Sequence, residues 1–301
     1  MNLLLYTNKL YEMDVVIIFN GLGNQMSQYA FYKAKKIKSP NCQCIFDRKS
    51  KDNHNGYELD SIFNIRIENF KSKLLELIFY YYQHSKIGFI LLCKFVTFIK
   101  EPANYDYNSE YLKKHRKFGL NFYYGGWHSE KYFLDIKEEL THIFKFNLNK
   151  INKKTHEWSH IIQKDPCSIS MHIRRGDYIK HPTFNNISTE KYYDNAIKYF
   201  IEKFKSPHFY VFSNDIEWCK KKYTNTNLFS FIDCNTHKDS WNDMYLMSLC
   251  IHHINANSTF SWWGAWLSKT DNGITIVPPQ FINNHKVKDI YPTRWIKINN
   301  K

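Results

Sequence analysis

Between Cys167 and Val277 the chain repeats one pattern: a short apolar run, a polar turn, then a stretch at helical spacing. The apolar runs are Cys167–Ile173, His208–Ser213, Leu228–Ile232, Ile251–Ala256 and Gly273–Val277; helices are expected at about Thr189–Phe204, Ile216–Lys222, Ser240–Leu249 and Trp262–Lys269. Strands separated by helices are the signature of an α/β domain. In an open sheet of this kind, ligands bind outside the carboxyl ends of the strands. Polar groups cluster there: Arg174, Arg175 and Asp177 after the first run, Asn214 and Asp215 after the second, Asp233 after the third, and Asn257, Ser258 and Thr259 after the fourth. Taken singly, each is an ordinary turn or helix cap. Together, beside an arginine pair, they read as a lined crevice.

The most pointed of these segments is S-I-S-M-H-I-R-R-G-D-Y, residues 168–178. Guanidinium groups bind phosphate bidentately, so two side by side suit a diphosphate. The competing reading is a solvated pair that closes the strand, with Asp177 as its local ion partner. Asn257-Ser258-Thr259 places hydroxyls and unpaired backbone N–H groups at the start of a helix, a ready phosphate site.

The first half begins with another such unit. Asp14–Phe19 is a continuous apolar run, as a buried parallel strand requires. Asn20–Asn24 is a tight turn, Gln25–Ile37 has helical spacing, and Cys42–Asp47 is a second strand. G-L-G after a strand invites a dinucleotide-binding reading, but the third glycine position is Met26, which bars the close helix–strand approach that motif needs. Leu74–Ile99 reads as two helices. Its uninterrupted apolar core, Ile87–Cys93, is far short of the roughly 20 residues a spanning helix needs, and the flanking lysines are compatible with interfacial membrane contact. Asn121–Gly125 is a short aromatic strand, and Gly126–Phe133 turns into a helix that Ser129 is placed to cap. Asn147–Lys154 is the most linker-like stretch. The expected organisation is an extension over residues 1–13, one Rossmann-like domain over 14–155 and a second over 156–301.

Composition narrows the class of partner. The formal net charge of +14 suggests anionic partners. The lysines are dispersed rather than gathered in one arm, which weakens a nucleic-acid reading, although a basic polyanion-binding protein stands as the non-enzymatic alternative. The seven cysteines form no C-x-x-C and read as reduced, buried thiols of a cytoplasmic protein, peripheral at most on the inner membrane surface. Residues 1–12 show no signal-peptide pattern.

G-L-G-N-Q-M-S-Q-Y-A-F (21–31), G-G-W-H-S-E-K-Y-F (125–133), H-I-R-R-G-D-Y (172–178), F-S-N-D (212–215) and A-N-S-T-F-S-W-W-G-A-W-L (256–267) follow one another in an order that resembles the bacterial α-1,2-fucosyltransferases of glycosyltransferase family 11. That resemblance implies an α/β fold of the GT-B type, two Rossmann-like domains facing a cleft, with GDP-fucose in the C-terminal one. It implies inverting, metal-independent transfer to the 2-hydroxyl of a galactose-terminated oligosaccharide or lipid-linked glycan, with no cofactor. By position, His172 and Arg174 are expected on the guanosine diphosphate with Arg175 in support. Asn257, Ser258 and Thr259 are expected at phosphate, and Asp215 near the nucleoside. Gly21, Gly23, Asn24 and Gln25 correspond to a G-x-x-G-N-Q loop that in distantly similar protein O-fucosyltransferases lies beside donor and acceptor. Trp127, His128 and Glu130 are the acceptor-side candidates.

The chemistry of the residues agrees. Glycosyl transfer passes through an oxocarbenium-like state while charge builds on the departing diphosphate. Many transferases neutralise that charge with a metal held by D-x-D, and no D-x-D occurs in this sequence. Arginines and a helix N-terminus are left to do it. Inversion needs a group to take the acceptor proton; Asp177 is the nearest carboxylate to the arginine pair, and it either fills that role or orients an arginine. Turnover should therefore persist in excess EDTA; activity abolished by the chelator and restored by manganese would contradict this expectation.

Overall fold

The computed structural model describes residues 12–50, 54–67, 69–113, 119–270 and 272–299. The expectation for residues 1–11 lies outside the described residues. The chain divides into two compact units, Met1–Lys145 and Phe146–Lys301.

The N-terminal unit is built on β1 (Glu12–Ile18), β2 (Gln43–Phe46), β3 (Val96–Lys100) and β4 (Gly119–Tyr124), all parallel, in the spatial order β2-β1-β4-β3. The apolar run puts β1 in the middle, where Val15, Val16, Ile17 and Ile18 are fully buried. Val15 and Ile17 share one face with Ile45, Val96 and Phe122, covered by Leu75 and Phe79 of the helix Phe70–His84. The helix Leu22–Lys38 packs on β1.

Two expectations are corrected here. Met13 is not part of an extension: β1 begins at Glu12, and Met13 is a buried core residue paired with Leu120. The region Leu74–Ile99 is not two helices to its end. The helices are Phe70–His84 and Lys86–Leu92, and the β-branched residues near its end, Val96, Thr97 and Ile99, lie in β3 against β4. Asn69 and Ser72 start the first helix with a reciprocal capping box, and Ser85 caps the second by accepting from the Gly88 N–H at 3.1 Å.

A buried ion pair ties this unit together. Lys35, fully buried on the helix Leu22–Lys38, reaches Asp14 on β1 at 3.1 Å and donates to the Tyr111 and Lys113 carbonyls at 2.9 and 2.8 Å. Asn121 donates to the same carboxylate at 3.0 Å, and the Tyr123 ring lies 4.0 Å from the ammonium. Burial lowers the Lys35 pKa, and the Asp14 charge resists that fall.

The C-terminal unit carries β5 (Ser168–Ile173), β6 (His208–Ser213), β7 (Phe229–Ile232), β8 (His252–Ile254), β9 (Thr275–Val277) and β10 (Ile296–Lys297) in one parallel sheet ordered β10-β9-β8-β5-β6-β7. Each of the five expected strands is present, His208–Ser213 with the expected bounds and the other four with their ends trimmed. The helix Glu190–Lys203 covers one face with Tyr192, Tyr193, Ala196 and Phe200 against Ile169, Met171, Ile173, Phe209, Ile254 and Ile276. The helices Trp241–Leu249 and Thr259–Trp266 pack closely on each other: a Cβ on Gly264 would come within 2.9 Å of the Met247 Cβ. The stretch Asn147–Lys154 is not a free linker. Asn147 caps a short turn, and Asn152 caps the helix Lys153–Lys164 through the Thr155 N–H at 2.8 Å while bonding Asn235.

Lys35→Met should destabilise the N-terminal unit by about 3–5 kcal/mol, because it leaves the Asp14 carboxylate buried without its counter-charge. Urea denaturation of the variant checks this; a loss below about 1 kcal/mol would show that the pair is hydrated rather than buried.

Candidate active site

The C-terminal sheet reverses its winding at β5. From there the chain steps outward to β6 and β7, then returns to the other side of β5 to lay down β8, β9 and β10. Such a reversal opens a crevice at the carboxyl ends of the two strands that flank it, here β5 and β8. The segments leaving those ends are the arginine turn and the Asn257–Thr259 loop. The rings of His172, near the end of β5, and Phe260, in the helix after the loop, lie 5.8 Å apart.

The arginine turn is held from several directions. Asp177 Oδ2 accepts from Arg174 Nη2 at 2.9 Å, and its Oδ1 lies 2.9 Å from Nε. Arg175 donates from Nε to Asp215 at 3.2 Å and lies 3.8 Å over the Trp218 ring. Asn214 joins the two: it accepts from the Arg175 N–H at 2.9 Å and donates to Asp177 at 3.3 Å. A Cβ on Gly176 would meet the Asn214 amide nitrogen, so a larger residue there would displace the side chain that joins the two arginines. Both guanidinium groups stay about a quarter exposed. The two arginines are matched by two carboxylates, so what the turn presents is oriented N–H donors rather than net positive charge. The contact that Asp177 makes is that of a group orienting Arg174. Asp215 does two things at once, holding Arg175 and capping the helix Ile216–Lys222 through the Trp218 N–H at 3.4 Å.

Across the reversal, Ser258 caps the helix Thr259–Trp266 by accepting from the Phe260 N–H at 3.3 Å, and Thr259 opens its first turn, half-buried. Asn257, expected at phosphate, is spent within the protein. Its amide donates to the Phe184 and Phe281 carbonyls at 3.2 and 3.1 Å and accepts from Ser188 at 2.9 Å. It sets the direction of the loop. Tyr193 donates to the His172 carbonyl at 2.9 Å and Tyr192 to the Asn255 carbonyl at 2.7 Å, so one helix fixes both strand ends. Burial first, and the Arg174 charge second, take the His172 pKa from 6.5 down to about 3, which keeps the imidazole neutral.

In the N-terminal unit the glycine-rich motif is not a loop before a helix. Asn20, at φ 63°, makes the turn, and the helix starts at Leu22, with the Gly21 carbonyl accepting from the Asn24 and Gln25 N–H groups at 3.0 and 3.1 Å. Gly23 and Asn24 therefore lie in its first turn, Asn24 half-exposed. Gln25 is buried, donating to the Asn20 and Gly56 carbonyls, each at 2.7 Å, and accepting from the Glu58 N–H at 2.9 Å. It is a strut rather than a group facing a ligand. Gln28, which the sequence reading passed over, bridges the ends of β1 and β4 by accepting from the Phe19 N–H at 2.9 Å and donating to the Gly125 carbonyl at 3.1 Å.

The acceptor-side candidates are also interior. Trp127, at φ 51°, is fully buried and stacks on Phe31 with ring centroids 4.2 Å apart. His128 is buried, its pKa lowered by that burial to about 3, and Glu130 is buried at the start of a single 3-10 turn that Ser129 does not cap through its side chain. They shape the loop after β4. The group that holds this loop is one the sequence did not single out: Glu101, just past β3, accepts from the Gly126 and Trp127 N–H groups at 2.7 and 2.8 Å. Cys93 is exposed, against the expectation of uniformly buried thiols.

The Glycosyl transferase family 11 profile matches residues 84–299. An alpha-1,2-colitosyltransferase of Escherichia coli is 36% identical over 304 aligned residues, covering 95% of this chain and 99% of that protein. The O-antigen biosynthesis glycosyltransferase WbnK of Escherichia coli is 27% identical over 92% of this chain and 98% of its own length. Among solved structures, the NodZ alpha-1,6-fucosyltransferase co-crystallized with GDP matches with a TM-score of 0.55 at 11% identity, over 88% of this chain and 95% of that one, a likeness of fold. The fold is that of the GT-B class, two Rossmann-like units each on a parallel sheet.

Burial raises the Glu101 carboxyl from 4.5 to about 7, although two backbone N–H donors favour its ionised form. The folded state thus prefers the protonated acid; this contribution is complete below pH 4.5 and is lost as the pH rises through about 7. Asp243, which burial raises to about 7, adds a loss of the same sign in the other unit. Melting curves taken across this range should fall less steeply with pH for Glu101→Gln than for wild type. Parallel curves would assign Glu101 a purely structural, pH-independent role.

Proposed function

Because the chain belongs to glycosyl transferase family 11, we propose that it transfers L-fucose from GDP-fucose to the 2-hydroxyl of a terminal galactose-type acceptor, with inversion and without a metal. The observation that carries the reading is the placement of the Arg174–Arg175 pair and the Ser258-capped helix on the two strand ends that flank the winding reversal. A diphosphate lying there meets guanidinium donors from one strand and backbone N–H groups from the other. The neutral His172 adds no competing charge. The polyanion-binding alternative is disfavoured, because the carboxylates of Asp177 and Asp215 offset the arginines at the very place a nonspecific binder would expose them.

As the glycosidic bond breaks, negative charge moves onto the diphosphate, and donors already oriented toward it stabilise that state without rearranging. Arg174 is the leading such donor: Asp177 engages its Nε–Nη2 side, leaving the Nη1 side to a ligand. Arg175, stacked on Trp218, supports the site. Asp177, which holds the other edge of Arg174, is the nearest carboxylate to the pair and the candidate to take the acceptor proton. Acceptor recognition is assigned to the N-terminal unit, to a galactose-terminated oligosaccharide or a lipid-linked glycan. A second donor reading, colitose in place of fucose on the same nucleotide, is favoured by the name of the relative with 36% identity.

Thermal-shift measurements with GDP, UDP and NAD test the nucleotide, and transfer assays with GDP-fucose and GDP-colitose test the sugar. Selective stabilisation by GDP is the expected result; stabilisation by UDP or NAD alone sinks the assignment. Arg174→Lys keeps the charge and loses the planar fork. It should bind GDP-fucose within roughly an order of magnitude of wild type while kcat falls about a hundredfold or more. A defect confined to KM would mean that Arg174 binds substrate and transition state equally.

A further inference from the structure

The helix Phe70–His84 has two apolar faces. Leu75 and Phe79 are buried in the sheet core. Phe70, Leu74, Leu77 and Tyr81 repeat at helical spacing on another face and remain exposed, Phe70 by 87%. The next helix, Lys86–Leu92, reads K-I-G-F-I-L-L and contains no buried residue. Ile87 is 71% exposed, and Ile90 and Leu91 are each 68% exposed. The two helices are pressed together where Gly88 meets the Tyr81 carbonyl, so close that a Cβ would lie 2.6 Å from that oxygen. Phe95, just beyond, is also exposed. Water-facing apolar surface on this scale marks an interaction site.

The charge around it identifies the partner. Between residues 70 and 95 stand Lys71, Lys73, Lys86 and Lys94, and the sole carboxylate is Glu76, itself buried. A second copy of the chain would bring its own lysines against these, on a protein already at +14. No helix among the described residues is long and apolar enough to cross a membrane; a seven-residue helix extends only about 10 Å. Apolar side chains ringed by lysines on short helices suit the plane between headgroups and acyl chains. We propose that the face formed by residues 70–95 docks this protein on an anionic lipid surface. The inference stands apart from the donor and acceptor readings, since it rests on neither arginine nor on turnover.

The test is co-sedimentation of the full chain with phosphatidylcholine vesicles, with and without phosphatidylglycerol. Wild type should pellet with the anionic vesicles. Ile87→Ser/Ile90→Ser/Leu91→Ser should lower that partitioning about tenfold or more, and Lys86→Glu/Lys94→Glu should lower it on anionic vesicles by a similar factor. Unchanged melting temperatures show that these exposed substitutions leave the fold intact; should the triple variant fail to fold, Phe70→Ser/Leu74→Ser on the first helix carries the same test. The proposal is overturned if wild type stays in solution, or if the apolar variants bind as wild type does, since general basic charge then explains adsorption. It is overturned equally if light scattering shows a dimer that the triple variant abolishes, since a second copy then covers the face.

Discussion

A strand buried on both faces has no room for ligand chemistry along its length, and the organisation of this protein follows from that constraint. Every residue of β5 is buried. Its two serines are turned inward to partners, Ser170 to His253 at 2.7 Å and Ser168 to the Ile251 N–H at 3.1 Å. Chemistry is thereby pushed to the carboxyl end, where the backbone is leaving the sheet and two arginines can stand part-exposed. In the other unit the ends of β1, β3 and β4 likewise gather the Gly21 helix start, Glu101 and the Gly125–Trp127 turn. Parallel winding puts these ends on one side of each sheet; the reversal of strand order decides which two become neighbours.

Much of this was legible in the residues. Apolar runs of strand length between helical stretches located the C-terminal strands to within a few residues, since parallel strands read as continuous hydrophobic segments. Arg174 and Arg175 stood out because nothing but a turn or a ligand calls for two cations at a strand end. The misses have a common cause. An asparagine or glutamine past a strand looks the same in sequence whether it faces a ligand or a carbonyl of its own loop, and Asn257 and Gln25 turn out to serve loops. Trp127 was an acceptor-side candidate, and the positive φ that goes with its indole stacked on Phe31 leaves no trace in composition. Glu101 is a lone acid before a proline, and only the approach of the Gly126 and Trp127 amides gives it a role. β10, two residues long, is below what periodicity resolves.

The polar struts also explain how a basic chain builds a selective site. Ion pairing with Asp177 and Asp215 fixes the angle of each guanidinium, and Asn214 fixes the pair relative to each other. Fixed geometry favours a planar, bidentate anion over a diffuse one.

The contact between Gly264 and Met247 reaches further than the core it fills. Gly264 sits on the helix that Ser258 caps and Thr259 opens, and Met247 on the helix packed against it. Any side chain added at 264 pushes that helix along or away from its neighbour, and its N–H groups move with it. Sequence drift at these two positions is consequently coupled: a larger residue at one is tolerated only with a smaller one at the other. In a lineage of such chains, the interior would keep a record of where that helix must start.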